Sequence, residues 1–354
     1  LAPQDNPGGL LASMFIGGDD LDGARAITVD GEGAVYVTGF SGSTDTYWPQ
    51  SPGVYDVADI APHGAHTGPI FVAKFSADLG ARSYMTFVGD EFQDNSTGIT
   101  ERGNGIVVDD VGNVYVTGQT MSLDEFPVTD GAFDADLNDG VDENCPTGRT
   151  DRPCPDAFVV KLNASGWLEY ATYLGGSYIY APGNTENWGG NDYGVAIGVD
   201  KHHHVYVFGE TNSQDFPTTP GAFDREFSYV DIGLNPDIFV VKLDPAGNGS
   251  ADLLYGTYLG SGFVNSAGDM VVDEDGIVYA TGHVEGRGDF VVEPKIDFPT
   301  TPGAYPRSSQ CLARTCSDLF FFKLNPAGQG EDDLLYGTFF GGTVPGSEFY
   351  EIEG

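Results

Sequence analysis

The chain has 354 residues, with 53 acidic against 15 basic side chains and a formal net charge of −38. That balance argues against nucleic acid, whose phosphates need clustered Lys and Arg, and the 40% hydrophobic content argues against a disordered chain. No apolar run of ~18 residues predicts a membrane span, and the 51 Gly and 21 Pro lack the three-residue period of collagen.

The opening L-A-P-Q-D-N-P-G-G-L has no basic segment followed by an apolar stretch, so a signal peptide is expected to be absent or already removed. The first predicted element is a lone strand, L-L-A-S-M-F-I-G-G (Leu10–Gly18). Four units of four strands follow. Strand a reads A-I-T-V-D (Ala26–Asp30), G-I-V-V-D (Gly105–Asp109), A-I-G-V-D (Ala196–Asp200) and D-M-V-V-D (Asp269–Asp273). Strand b follows a tight turn: V-Y-V-T-G at Val35 and Val114, V-Y-V-F-G at Val205 and V-Y-A-T-G at Val278. Strand c is I-F-V-A-K-F (Ile70–Phe75), A-F-V-V-K-L (Ala157–Leu162), I-F-V-V-K-L (Ile238–Leu243) and L-F-F-F-K-L (Leu319–Leu324). Strand d spans Ala81–Gly89, Leu168–Gly176, Leu253–Ser261 and Leu334–Gly342. The chain ends in F-Y-E-I-E (Phe349–Glu353), which reads as the start of another strand a.

β-branched and aromatic residues between turn residues predict strands throughout, and no segment has a helical period. The repeated Lys, at 74, 161, 242 and 323, sets a period of roughly 80–90 residues. Four-stranded units in tandem predict an all-β fold, a β-propeller of antiparallel blades. Strands apolar on both faces suit sheets sandwiched between neighbouring sheets. The expected organisation is one propeller region over 1–354. It comprises a d-like strand at 10–18, blades at 19–89, 90–176, 177–261 and 262–342, and the start of a further blade at 343–354.

The long b-to-c connection has its own repeated core. It reads D-F-P-T-T-P-G-A-F at Asp215–Phe223 and D-F-P-T-T-P-G-A-Y at Asp297–Tyr305, with diverged copies at Glu125–Phe133 and Tyr47–Tyr55. Together the V-D…G-N-V-Y-V-T-G, D-F-P-T-T-P-G-A-F, F-V-V-K-L and Y-x-T-Y-L-G-G blocks resemble the bacterial seven-bladed β-propeller repeat, the SBBP repeat. The resemblance covers nearly all of Leu10–Gly342 and implies a propeller in an exported bacterial protein. It implies no single activity and no catalytic residues. Four complete blades plus partial strands depart from the family's seven, so the chain is expected to be a piece of a longer array or to have its ring completed by other chains; a closed four-bladed ring is the alternative, which leaves the terminal strand a unexplained.

Strand alternation sorts the loops. Short a–b and c–d turns share one face, while the long b–c and d–a connections share the other, where function is expected. The richest stretch there is S-Y-I-Y-A-P-G-N-T-E-N-W-G-G-N-D (Ser177–Asp192). Tyr178, Tyr180, Asn187 and Trp188 can contact a carbohydrate or a protein partner, or pack the loop onto neighbouring blades. D-A-D-L-N-D-G-V-D-E (Asp134–Glu143) spaces oxygen ligands as calcium sites do, with Asp134, Asp136, Asn138 and Asp142 as the candidate set; a solvated acidic loop is the alternative. Cys145 and Cys154 enclose one turn-rich loop, Cys311 and Cys316 another. Two local disulfides are expected, and zinc, which needs four ligands, is the rival reading. His202, His203 and His204 fill one tight a–b turn, from which three imidazoles cannot easily converge on one ion. Four of the six Lys occupy one framework position, which predicts a structural role beside the repeated Asp30, Asp109, Asp200 and Asp273. Those Asp can equally cap their own turns.

No nucleophile elbow, metalloprotease, phosphate-loop or haem motif occurs. The sequence therefore points to a non-enzymatic scaffold or binding module, extracellular or at the cell surface with the periplasm as an alternative, and part of a larger assembly. Protein partners or self-association are expected. The alternative is a secreted carbohydrate-active lyase or hydrolase using the same long-loop face.

Overall fold

A computed structural model describes residues 11–43, 51–52, 54–55, 68–89, 101–122, 126–137, 154–177, 190–228, 236–261, 264–285, 298–304 and 317–340. The first sheet holds β1 (Asp22–Val29), β2 (Val35–Ser41), β3 (Ile70–Phe75) and β4 (Arg82–Val88). The second holds β5 (Arg102–Val108), β6 (Val114–Thr120), β7 (Asp156–Leu162) and β8 (Leu168–Leu174). The third holds β9 (Asp192–Val199), β10 (Val205–Thr211), β11 (Asp237–Leu243) and β12 (Leu253–Leu259). The fourth holds β13 (Val264–Val272), β14 (Val278–Glu285), β15 (Ser317–Leu324) and β16 (Leu334–Phe340). Each sheet is an antiparallel meander in chain order, which is the propeller blade predicted from the repeats. Residues 11–18, expected to form a lone strand, are irregular. The strand expected at 349–353 lies outside the described residues.

The blades stack in sequence. The inner strands β1, β5, β9 and β13 pack against one another successively, and the described sheets form an open arc. Among the described residues the core has three interblade layers and a fourth cluster, Phe71, Ala73, Phe75, Met85 and Phe87, on the other face of the first blade. Ile70 and Val72 of the first blade meet Phe158, Val160 and Leu162 of the second. Ala157 and Val159 meet Phe239, Val241 and Leu243. Ile238 and Val240 meet Phe320, Phe322 and Leu324. Alternate residues of strand c thus serve two different layers, which is why the run is apolar without interruption.

The Gly that closes each V-Y-V-T-G block has a steric cause. Every inner strand carries a bulge opposite it, between Ala24 and Ala26, Gly103 and Gly105, Gly194 and Ala196, and Ala267 and Asp269. The bulge pushes a carbonyl into the space a side chain would need. A Cβ on Gly39, Gly118, Gly209 or Gly282 would overlap the carbonyl oxygen of Gly23, Arg102, Tyr193 or Ser266. Gly118→Ala is expected to cost about 1–3 kcal/mol or more, read by urea unfolding, because backbone rather than a movable side chain blocks the methyl.

The D-F-P-T-T-P-G-A-F segment covers the outer edge of strand d. Phe216 stacks on Phe239 at 4.3 Å, and Phe298 stacks on Phe320 at the same distance. Thr219 donates its N–H to the Gly256 carbonyl at 3.0 Å, and its hydroxyl accepts the Gly256 N–H at 3.2 Å. Thr129 and Thr301 do the same to Ala171 and Gly337. The loop then reaches the next blade: Gly249 N–H donates to the Gly131 carbonyl, and Gly330 N–H to the Gly221 carbonyl. The repeated core of the long connection is therefore an edge guard and interblade tie, not a crown standing on one face.

Candidate functional site

The tight turns between strands a and b share one construction. Asp30, Asp109, Asp200 and Asp273 each accept two backbone N–H groups of their own turn on Oδ1, from the residues two and four places on. Oδ2 accepts the hydroxyl of the strand-b tyrosine: Tyr36, Tyr115, Tyr206 or Tyr279, at 2.9–3.2 Å. The strand-c lysine lies over that tyrosine's ring. Lys74, Lys242 and Lys323 sit 4.9, 5.1 and 4.9 Å from the centroid and Lys161 6.0 Å. Both roles read for the aspartates, turn cap and lysine neighbour, are thus filled by the same carboxylate. Lys242 reaches Asp200 Oδ2 at 3.7 Å, whereas Lys161 turns to Glu169 at 3.1 Å.

These contacts set the local electrostatics. Burial would raise the Asp200 carboxyl, but hydrogen bonds from His204, His202 and Tyr206 outweigh it and hold it below the usual carboxylate range. Burial first, then the adjacent carboxylate, pushes the Tyr36, Tyr115 and Tyr206 hydroxyls upward, so they stay donors.

The third turn departs from the others. Gly33, Gly112 and Gly276 occupy the left-handed position of their turns, with φ of 85°, 89° and 79°. His203 takes that position at φ 64° and sends its ring across to the second blade. His203 Nδ1 lies 3.1 Å from Asp109 Oδ2, and Nε2 lies 3.9 Å from Asp110 Oδ1. His204 turns back to its own Asp200, with Nδ1 3.0 Å from Oδ2. The three imidazoles do not converge. Beside this cluster a cavity of 490 Å³ opens between the first two blades. Its charged lining is Asp30, Glu32 and Lys74 from one side and Asp109 and Asp110 from the other. The cavity is on the short-turn face, opposite the one where the sequence placed function. Sequence reasoning missed the Asp109–His203 contact; its one visible signal was His where the other three repeats have Gly.

The other candidate residues are placed as follows. Asp134 fixes its loop to β8: its N–H donates to Thr172 Oγ1 at 2.8 Å, its carbonyl accepts the Tyr173 N–H, and its Oδ1 accepts the Asp136 N–H. Asp224 makes the same three bonds to Thr257, Tyr258 and Glu226 in the third blade, so this is framework geometry common to two repeats. Asn138 and Asp142 lie outside the described residues, as do Tyr178, Tyr180, Asn187, Trp188, Cys145, Cys311 and Cys316. Cys154 is buried. On the long-loop side, Asp192 is wholly buried. Its Oδ2 accepts the Gly176 N–H and the Ser213 hydroxyl, and Oδ1 is buried without a hydrogen bond. Among the described residues no helix is long and apolar enough to cross a membrane.

Residues 94–127, covering β5 and β6, match the profile of the SBBP beta-propeller repeat. Residues 94–127 therefore carry the SBBP repeat. No curated protein matches the chain. Among solved structures, the chain is similar to an ulvan lyase of a polysaccharide lyase family, with 10% identity and a TM-score of 0.34. A structure of that lyase bound to a GlcA(1-4)Rha3S unit matches at 9% identity and the same TM-score. In both, the alignment covers 91% of this chain and 58% of the lyase chain.

Proposed function

We propose that the chain is a non-enzymatic scaffold and binding module outside the cell, built into a larger assembly through its fourth blade. The observation that carries this reading is the outer face of β15. In β3, β7 and β11 both faces are buried, while in β15 buried residues alternate with exposed Ser317, Leu319 and Phe321. Leu319 is 51% exposed and Phe321 38%, and Phe340 on the adjacent strand is 67% exposed. In the other blades the matching residues are Ile70 and Val72, Ala157 and Val159, and Ile238 and Val240, each pair roofed by the next blade's Phe and Leu. Continuity with those three layers identifies the occupant: another blade of the same repeat type, presenting a Phe and a Leu with an apolar residue between them. An isolated apolar sheet face of this kind marks an interaction surface. The net charge of −38 suits a location outside the cell, and the disulfides expected from the close pairs Cys145/Cys154 and Cys311/Cys316 would suit an oxidising one.

Sedimentation of the 354-residue chain tests it. Without its neighbouring blade the chain is expected to self-associate as concentration rises, and the double change Leu319→Asp, Phe321→Asp is expected to leave it monomeric with an unchanged circular dichroism spectrum. A parent chain that stays monomeric, or association that survives the double change, would remove the docking face. Depolymerisation of an acidic polysaccharide by the purified chain would replace the scaffold with the carbohydrate-active alternative.

A further inference from the structure

We propose that His203 and Asp110, with Asp109 as the orienting group, form a site for a divalent transition metal of the zinc class. Asp109 sits among hydrogen-bond donors. Its Oδ1 accepts the N–H groups of Val111 and Asn113. Its Oδ2 accepts the Asn113 amide at 2.8 Å and the Tyr115 hydroxyl at 3.0 Å. Every partner of this carboxylate is a donor, so His203 Nδ1, 3.1 Å away, donates as well. The proton on Nδ1 leaves Nε2 with its lone pair. A buried carboxylate holding one imidazole nitrogen so that the other can bind metal is the standard supporting arrangement of histidine ligands.

Nε2 faces the Asp110 carboxylate across 3.9 Å. That gap is too long for a hydrogen bond. A cation bonded to both atoms at about 2.1 Å would bring them to roughly 3.4 Å apart, a small approach that the exposed Asp110 side chain can make. The Asp109, Asp110 and His203 donor atoms all lie within 4.8 Å of one another. The Asp110 side chain is 84% exposed and that of His203 42%, so an ion can enter and keep water in its remaining positions. The 490 Å³ cavity adjoins the site through Asp109 and Asp110 and gives room for a further ligand on the metal. The imidazole sets the metal class. Carboxylates alone favour calcium or magnesium, whereas an imidazole nitrogen favours zinc, nickel or copper. The rest of the molecule supports the same choice: His203 stands where the fold takes Gly in three turns of four, in a backbone region that disfavours side chains.

The test is a zinc titration of the full chain by calorimetry, in excess magnesium to occupy carboxylate-only sites, with the histidine ring signals followed by NMR. The expected result is one saturable site whose binding moves the His203 ring resonances and leaves those of His204 in place. His203→Gly restores the residue found in the other turns, so folding is kept, and that site is expected to vanish. Asp110→Asn is expected to weaken it, and Asp109→Asn to weaken it about tenfold by loosening the ring. Unchanged zinc binding in His203→Gly, or no zinc-dependent shift of the His203 ring, would overturn the site.

Discussion

Raising the pH from about 5 to about 8 is expected to lower the melting temperature, and Asp237→Asn is expected to remove much of that loss. Asp237 opens β11 and is wholly buried. Its Oδ2 accepts the Ser228 N–H at 2.6 Å, and the Asn265 amide reaches Oδ1 at 3.4 Å, with no cation among these contacts. Burial pushes its carboxyl up to about 8, against 3.8 in an unperturbed Asp. The folded state therefore binds a proton that the unfolded chain has released. The stability this group contributes is full below 3.8 and declines as pH rises through the folded value. Asp192 shifts in the same direction, through burial first and the nearby Asp215 charge in addition, and acts over the same window. An amide at 237 keeps the acceptor for Ser228 and cannot ionise. The change is expected to stabilise the protein at about pH 8 by about 1–3 kcal/mol and to do nothing at about pH 4, a difference that melting curves at the two pH values resolve.

Asp200→Ala is expected to be the most damaging single change among the turn aspartates, at about 3–5 kcal/mol. The alanine leaves the His202 and His204 N–H groups, the Tyr206 hydroxyl and the His204 ring without their acceptor, and Lys242 without its counter-charge. Tyr206 has no exposed surface, so its hydroxyl cannot turn to bulk water without opening the layer between the third and fourth blades. Asp200→Asn keeps an acceptor for the turn and loses only the charge, for a cost of about 1–2 kcal/mol. Asp273→Ala removes the same cap from the fourth blade, where Tyr279 is only partly buried, and is expected to cost less than its counterpart. Urea unfolding of the three variants ranks them; an Asp273→Ala loss equal to that of Asp200→Ala would mean the turn cap alone, not the buried tyrosine, sets the penalty.

The blade was legible because each of its constraints recurs. Phe239 and Val240 point to opposite layers, so the strand cannot alternate polar with apolar, and four such strands at a fixed spacing admit few architectures. The Asp, Tyr and Lys framework was visible as repetition, and its geometry follows from a hairpin that brings position 30 beside position 36 and position 36 beside position 74. What repetition could not show was how blades differ. His203 is a departure from the pattern whose partner lies 94 positions away on another blade. The aromatic anchors of the D-F-P-T-T-P-G-A-F segment were legible, and Phe216 stacks on Phe239 accordingly; its backbone bonds to strand d leave no mark in the side chains. Asp192 and Asp237 sit at strand starts, where a polar residue reads as an ordinary boundary and its burial is invisible.

The open arc makes the described molecule close to one-dimensional. The second and third blades are each clamped between two neighbours, while the described contacts of the fourth are with the third alone. Stability in such an array is a sum of each unit's own term and its junctions, so cooperativity decays with distance from a break. The fourth blade then has one junction to lose where the inner blades have two, and amide exchange in β14 and β15 should outrun that in β6, β7, β10 and β11. Its release would wet only the Phe320 and Phe322 layer and leave the other two junctions standing.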